Sequence, residues 1–176
     1  MDDKQPFQID IPDYRIDRLQ SEHTAALQRL CERCADYTRI VEGEDVPPTA
    51  AQEIMQDSPP GRSLDDKFLY GVFDHQGGLV GVLEGMRHYP EENIWWIGLL
   101  MLAPEARGCG IGRKVVQSFF EYVRSEQGAA VMLGVVEENK SAYRFWQQMG
   151  FELVRQTEPR TFGKKTQSVY VMRKEL

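Results

Sequence analysis

The sequence predicts a single domain of the α/β (α+β) class, one mixed β-sheet flanked by helices in the order β-α-α-β-β-β-α-β-α-β-β. Three observations lead there. Apolar or alternating runs of strand character are interleaved with stretches whose apolar residues recur at helical spacing. The connections are of two kinds, helical crossovers that make parallel neighbours and tight loops that make antiparallel ones. The chain's 176 residues suffice for one hydrophobic core and require no second folded domain.

Residues 1–12 are polar and read as a loose N-terminal arm, with the folded domain over 13–176. Tyr14 to Leu19 alternates Tyr, Ile and Leu with charged residues, which predicts a first strand. From Ser21, a candidate cap, the period becomes helical, with Ala25, Ala26, Leu27, Leu30, Cys31 and Cys34 on the inner face. Gly43, Pro47 and Pro48 break that pattern; Thr49 caps a short second helix through Met55, and Ser58-Pro59-Pro60-Gly61 ends it. Lys67–Phe73 and Leu79–Arg87 flank Asp74-His75-Gln76-Gly77-Gly78, a hairpin signal. The most apolar strand, Ile94 to Leu102, stops at Ala103-Pro104 because proline cannot donate to a sheet ladder. Ile111, Val115, Val116, Phe119, Phe120 and Val123 then mark a helix over 110–127. A strand over Ala130–Val136, a helix over Asn139–Met149 and strands near Phe151–Glu158 and Ser168–Arg173 complete the order.

Composition excludes several function classes. With 27 acidic and 21 basic residues the formal charge is −6, which gives a nucleic-acid partner no global electrostatic support. The longest apolar stretch, Ile94 to Ala103, has about half the length a membrane helix requires, so no membrane partner is expected. Cys31, Cys34 and Cys109 are an odd count, and Met1-Asp2-Asp3-Lys4-Gln5-Pro6 has no apolar core, which together fit a reducing cytoplasm. Cys31 and Cys34 form a C-x-x-C, but no second ligand pair follows at zinc spacing; they read as packed thiols and no metal is expected.

The turn Arg107-Gly108-Cys109-Gly110-Ile111-Gly112 lies between the apolar strand and the long amphipathic helix. Its glycines let backbone approach a bulky ligand, and the unpaired N–H groups of a first helical turn favour phosphate, with Arg107 and Arg113 adding charge. A dinucleotide fingerprint would need glycine where Arg113 stands, and a Walker loop would need Gly-Lys-Ser/Thr; neither is present.

The segment instead resembles the acyl-CoA loop of the GCN5-related N-acetyltransferase family, Arg/Gln-x-x-Gly-x-Gly/Ala, here Arg107, Gly110 and Gly112. Downstream, Asn139, Ala142, Phe145, Trp146, Gly150 and Phe151 resemble that family's Asn-x-x-Ala-x-x-Phe-Tyr-x-x-x-Gly-Phe. The resemblance covers most of the chain in element order and residues 94–151 in specific motifs. It implies an acyl-CoA N-acyltransferase-like fold in which the strand before the loop splays from its parallel neighbour and the pantetheine arm inserts like a missing strand. It also implies acetyl-CoA as co-substrate, with no metal. Leu100, Met101 and Leu102 would offer backbone groups to the arm. Gly108, Cys109, Gly110, Ile111, Gly112 and Arg113 would hold the pyrophosphate, helped by the charge of Arg107. Asn139 would contact the pantetheine or order the loop, and it reads equally as a plain helix N-cap.

Trp146 belongs to the same cofactor-binding set, yet it stands where the family usually has the tyrosine that protonates the leaving thiolate, and tryptophan cannot supply that proton. Tyr143, one helical turn earlier, is the surrogate acid or else a packing or substrate-lining residue. Some relatives carry a glutamate on the preceding strand, at the position of Gly134 here. An amine with a pKa of about 10.4 costs roughly 4 to 5 kcal/mol to deprotonate at neutral pH, so a base or water relay is needed. Glu84, in the apolar context Val82-Leu83-Glu84-Gly85-Met86, is the candidate base, with a solvent-facing carboxylate as the other reading. A main-chain N–H near Leu100 to Leu102 is the candidate oxyanion donor. Tyr37, Arg39 and Glu42, with Trp95, Trp96 and His88, are candidate acceptor-pocket residues, although adjacent tryptophans on a strand must face opposite sides.

The function these residues and the resemblance imply is transfer of an acetyl group from acetyl-CoA to a primary amine by direct attack. The acceptor is a small amine or a peptide amine, and the protein is a monomer or homodimer. The alternatives are a catalytically weak acyl-CoA-binding or sensing module and an interaction domain that binds no CoA.

Overall fold

The computed structural model describes residues 11–176, so the expectation of a loose arm falls, for residues 1–10, outside the described residues. In chain order the elements are β1 (Tyr14–Arg18), α1 (Thr24–Arg33), α2 (Ala35–Val41), α3 (Ala50–Gln56), β2 (Lys67–Asp74), β3 (Leu79–Met86), β4 (Ile94–Leu102), α4 (Ile111–Ser125), β5 (Ala130–Val136), α5 (Lys140–Gln148), β6 (Glu152–Gln156), β7 (Arg160–Phe162), β8 (Lys165–Gln167) and β9 (Val169–Glu175). Seven strands form one mixed, mostly antiparallel sheet in the order β1-β2-β3-β4-β5-β9-β6. The mixed α/β expectation is met.

Local chemistry sets most of these boundaries. The β2–β3 hairpin closes on Asp74, whose carboxylate accepts from the N–H groups of Gln76 (2.9 Å) and Gly78 (2.8 Å), with Gly77 at positive φ. The single helix expected from Ser21 is in fact two, because Cys34 leaves helical geometry (φ −100, ψ 28) and joins α1 to α2. Ser21 is not the cap of α1: it lies in a short 3-10 turn, where its carbonyl accepts from Thr24 Oγ1. Thr49 does hold the N-cap position of α3, but its hydroxyl donates to Glu53 Oε1 (2.6 Å).

Strand alternation divides the core between the two faces of the sheet. Phe68 of β2 and Trp95 of β4 pack on Phe119 of α4, with ring centroids 5.1 and 5.8 Å apart. Trp146 of α5 reaches the same layer through Phe151 and Phe120. On the other face, Glu84 and, beyond a register shift in β4, Leu99 and Met101 face α1, α2 and α3 together with Cys31, Ala50 and Ile54.

Two features of the sheet position everything that follows. β4 pairs in parallel with β5 only from Ile94–Ile97 against Ala130–Leu133. Beyond that the strands part, although β4 stays on β3 as far as Leu102 and β5 stays on β9 as far as Val136. The parting begins at a β-bulge: Ile97 lies opposite Gly85 and Leu99 opposite Glu84, which leaves Gly98 as the extra residue. A bulge bends its strand and increases its twist, and that turns the end of β4 away from β5.

The second feature is the β7–β8 hairpin, which the sequence reading omits. It braces the end of α2. The Gln167 amide, 1% exposed, donates to the carbonyls of Ile40 (3.1 Å) and Val41 (2.8 Å), and the Lys164 N–H donates to the carbonyl of Glu42 (2.7 Å). These are carbonyls that a helix end leaves without partners of its own. Replacing Gln167 by Leu is expected to strand the Val41 carbonyl, since that of Ile40 keeps Lys165 Nζ, and to cost about 1 to 3 kcal/mol, read as a lower urea midpoint at unchanged slope.

Candidate functional site

Where β4 and β5 separate, a cleft of about 500 Å³ opens between the end of β4, the turn before α4, helix α5 and helix α2. It continues inward to a recess of about 100 Å³ between Gly98–Leu100 and Gly134–Val136. On the α3 side of the sheet a further cavity of about 270 Å³ is bounded by Glu42, Glu53, Asp57, Lys67 and Glu84. Tyr37 borders all three spaces. A larger hollow of about 590 Å³ near Arg18 and Arg87 contains none of the expected site residues, and apart from Lys67 its lining is separate.

The turn leaves a row of backbone amides open at the start of α4. Gly108 (φ +78) and Gly110 (φ +86) take left-handed backbone that glycine alone adopts without strain, and open space lies where a Cβ would stand at either. Gly110 is the N-cap of α4. The N–H groups of residues 108–113 have no partner among the described residues, the ordinary condition of a first helical turn. Ile111 gives only its backbone, since its side chain is buried in the core. The exposed Cys109 turns its thiol to the Ala106 carbonyl (3.3 Å), and Arg113 borders the cleft beside Gln148.

Arg107 is placed differently from the simple phosphate contact the sequence suggests. Its guanidinium is bidentate on Asp36 of α2 (2.6 and 3.1 Å), and its Nε donates to the Leu102 carbonyl (2.8 Å). The hydrogen bonds from Arg107 lower the Asp36 pKa, and the pair raises that of the arginine in turn. Arg107 therefore ties α2 to the end of β4 and has little uncompensated charge. The Cys34 thiol, 3.3 Å from the same Leu102 carbonyl, adds a second tie. Burial pushes the thiols of Cys31 and Cys34 up, that of Cys31 to about 11, as expected for packed residues. Among the described residues, no group of three or more His, Cys, Asp or Glu is placed to hold a metal.

Of the three β4 residues expected to offer backbone groups, two face the gap. The Ala103 N–H donates to the Val80 carbonyl (2.8 Å) and Leu102 lies opposite Gly81, so alternation turns the N–H and C=O of Leu100 and Leu102 toward β5 and commits those of Met101 to β3. With the Leu102 carbonyl already occupied, the free groups are the Leu100 N–H, the Leu100 C=O and the Leu102 N–H. Across the gap, Asn139 caps α5 by accepting from the Ala142 N–H (3.2 Å), while its amide nitrogen has no partner among the described residues. Trp146, 6% exposed, forms the wall beside it.

The catalytic expectations divide. Tyr143 does not face the cleft: its ring packs on Tyr170 of β9 with centroids 4.9 Å apart, which corrects its reading as a surrogate acid. Helical phase is the cause, since Asn139, Ala142 and Trp146 define the cleft face and Tyr143 lies about a quarter turn from it. At Gly134 any Cβ would come 2.9 Å from Val169 Cγ1, so the position has no room for an acidic side chain. Glu84 faces the α3-side cavity, not solvent. Its side chain is 15% exposed and paired with Lys67, itself 6% exposed, while Lys67 Nζ also donates to the Asp57 carbonyl (2.8 Å). Burial raises the Glu84 pKa, and Lys67 only partly opposes it. Its Oε2 rests against Gly98, where a Cβ would stand 2.5 Å away.

Around this carboxylate the expected pocket residues are only partly right. Glu42 lines the cavity, its pKa raised by burial and then by Glu44 and Glu53. Arg39 points outward to Asp45 (3.3 Å). Trp95 is core, while Trp96 packs with Ile94, Met132 and Val171 and edge-on to Tyr89. Neither tryptophan nor His88 borders the three spaces. Lys67, Asp36, Glu53 and Asp57 were missed. The one available signal was Lys67 itself, a cation opening an apolar strand opposite another that carries a lone carboxylate.

This geometry can bind a diphosphate at α4, receive an extended chain along the open edge of β4, and present a carboxylate from the other side of the sheet. Glu84→Ala is expected to cost about 3 to 5 kcal/mol by leaving the Lys67 ammonium buried and unpaired, whereas Glu84→Gln keeps an acceptor and should cost much less; chemical denaturation of both variants tests this.

Comparison with solved structures places the fold. A ribosomal-protein-S5-alanine acetyltransferase from Vibrio fischeri superposes with a TM-score of 0.76 at 14% identity, over 97% of this chain and 97% of that one. A spermidine N-acetyltransferase from Vibrio cholerae, in complex with CoA and spermine, gives 0.72 at 17% identity over 94% and 96%. A GCN5-related N-acetyltransferase from Kribbella flavida gives 0.68 at 19% identity over 93% and 98%. At such identities the likeness speaks for the fold alone. No curated protein matches the sequence. No helix among the described residues is long and apolar enough to cross a membrane. Residues 24–151 match the model of the acetyltransferase (GNAT) family, and the chain is an acyltransferase belonging to that family.

Proposed function

We propose that this protein transfers the acetyl group of acetyl-CoA, the family's co-substrate, to a primary amine by direct attack on the thioester carbonyl. The observation that carries the reading is the alignment of three features along one path: the unpaired amides of the turn at α4, the free backbone edge at Leu100 and Leu102, and the buried carboxylate of Glu84 with its partner Lys67.

The N–H groups of Gly108, Cys109, Gly110, Ile111, Gly112 and Arg113 take the diphosphate, supported by the helix dipole. The Leu100 C=O, the Leu102 N–H and the Asn139 amide orient the pantetheine, with Trp146 as its wall, and the Leu100 N–H faces the developing oxyanion. Arg107 acts as a positioning residue through Asp36. The amine arrives through the α3-side cavity, where Glu42, Glu53, Asp57 and Glu84 outnumber Lys67 and favour a small amine or peptide amine that carries positive charge. As the C–N bond forms and the C–S bond breaks, the surplus amine proton passes to Glu84, directly or through water. The spermine in the Vibrio cholerae complex is consistent with a cationic acceptor here.

The replacement of the usual α5 tyrosine by Trp146 favours a second reading, a catalytically weak acyl-CoA-binding module. Thiol release from acetyl-CoA across a panel of primary amines separates the two: acceleration by at least one amine is expected, and tight CoA binding with no acceleration would overturn catalysis.

Two variants test the roles. Gly112 has ordinary helical backbone, and a Cβ there would meet a Leu102 methyl at 3.2 Å and the Phe145 ring at ordinary contact distance, so Gly112→Glu should fold while placing a carboxylate in the cradle. Its CoA affinity, by calorimetry, is expected to fall at least thirtyfold, about 2 kcal/mol. Because burial raises the Glu84 pKa and the ionised form is the base, kcat/KM should fall as pH drops through a limb above the ordinary carboxylate range. Measured at constant free-amine concentration, Glu84→Gln should lose that limb and about 100-fold in rate.

A further inference from the structure

The acetyl-transfer reading leaves the departing sulfur without a partner, since Trp146 and Tyr143 both fail as donors, and the structure offers another hydroxyl. Tyr37 of α2 is the residue shared by the cleft, the inner recess and the acceptor cavity, so it stands where the two substrates must meet. Its hydroxyl has no hydrogen-bond partner among the described residues. The helix that carries it is held on both sides. Asp36 is clamped by Arg107, and the carbonyls of Ile40 and Val41 are held by Gln167. A half-buried aromatic ring on so anchored a helix is preorganised, and an unused hydroxyl on such a ring is a donor awaiting an acceptor.

We propose that Tyr37 is a catalytic residue whose hydroxyl donates a hydrogen bond to the departing sulfur, replacing the donor that α5 lacks. The inference rests on the acetyltransferase reading. The thioester carbon sits by the Leu100 N–H, the last free backbone donor before the strands rejoin, and Tyr37 borders that same recess. When the C–S bond breaks, its electron pair goes to sulfur and the Tyr37 O–H bond stays intact. Burial, with Glu42 and Glu84 nearby, lifts this phenol to about 12, whereas an ordinary thiol lies near 8.5, so full proton transfer to the thiolate would be uphill. The sulfur therefore leaves as a hydrogen-bonded thiolate and takes its proton from water, while the amine proton goes to Glu84. A neutral phenol at every working pH is what this role requires.

The test uses the full chain with an amine found active in the thiol-release panel. Tyr37→Phe is expected to lower kcat at least tenfold with the KM for acetyl-CoA and the CoA-induced rise in melting temperature within twofold of wild type. Tyr143→Phe should stay within twofold in kcat. The double variant Tyr37→Phe/Trp146→Tyr, which returns a hydroxyl to α5, should recover at least threefold of the loss, something a purely structural role for Tyr37 would not give. A Tyr37→Phe protein retaining more than a third of wild-type kcat overturns the proposal. So does a loss that follows a matching loss of CoA binding, or a double variant without recovery. Wild-type protein that binds CoA but releases no thiol with any amine sinks the acetyltransferase reading and this role together, whereas wild-type turnover with an unimpaired Tyr37→Phe sinks this role alone.

Discussion

The structure depends on the separation of β4 from β5 after Ile97 and Leu133. A parallel pair inside a sheet would ordinarily continue to its natural end, because each backbone group left unpaired away from water costs about as much as a lost hydrogen bond. Here the pairing stops while both strands continue on their outer neighbours, so the open edge is held apart by the rest of the sheet. Gly98 is the cause and the beneficiary. As the extra residue of a bulge it bends β4, and having no side chain it leaves the space that the Glu84 carboxylate occupies. One residue thus opens the gap and admits the charged group behind it.

Helix α2 supplies the wall that turns an open edge into a cleft. At seven residues it is too short to be stable through its own hydrogen bonds, so its position rests on tertiary ties. Those ties come from three distant segments: Arg107 from the turn before α4, the Leu102 carbonyl through Cys34, and Gln167 from the small hairpin. The glycine turn, the strand edge and α2 are therefore mechanically one unit. Loosening the Arg107–Asp36 pair would disturb the cleft even though neither group need touch a ligand.

What the sequence revealed follows the range of the physical signals involved. Helix α4, the glycine turn and β4 are local patterns, and each was legible within about two residues of its observed bounds. The Cys34 break was hidden because the apolar stripe Leu27, Leu30, Cys31, Cys34 runs smoothly through the joint. The β7–β8 hairpin was hidden for the opposite reason, since Arg160 to Gln167 is polar and its one buried residue is a glutamine doing a backbone's work. Tyr143 was misread because proximity in sequence to the cleft face does not set direction, and a single helical residue turns about 100°. Arg107 was legible as a cation near the turn, but its partner Asp36 lies on another element, and no local pattern pairs them.

The Glu84–Lys67 pair explains how a carboxylate can be buried here and still accept a proton. Burial alone favours the neutral form of Glu84, and a base that already holds its proton cannot act. A fully compensating cation would have the reverse fault, holding the carboxylate so well that its affinity for a proton would fall below the ordinary range. Lys67, whose ammonium also donates to the Asp57 carbonyl, opposes burial only in part, and the balance leaves Glu84 raised but paired. An intermediate setting of this kind suits a base that must take a proton from an amine and return it to solvent in each turnover. The same sharing explains why Lys67 lies between the Glu84 cavity and the hollow near Arg87: its position is fixed by two acceptors on the acidic side. The proton chemistry of the proposed reaction would therefore be set by the cross-strand register of β2 and β3, two elements that contribute no residue to the glycine turn.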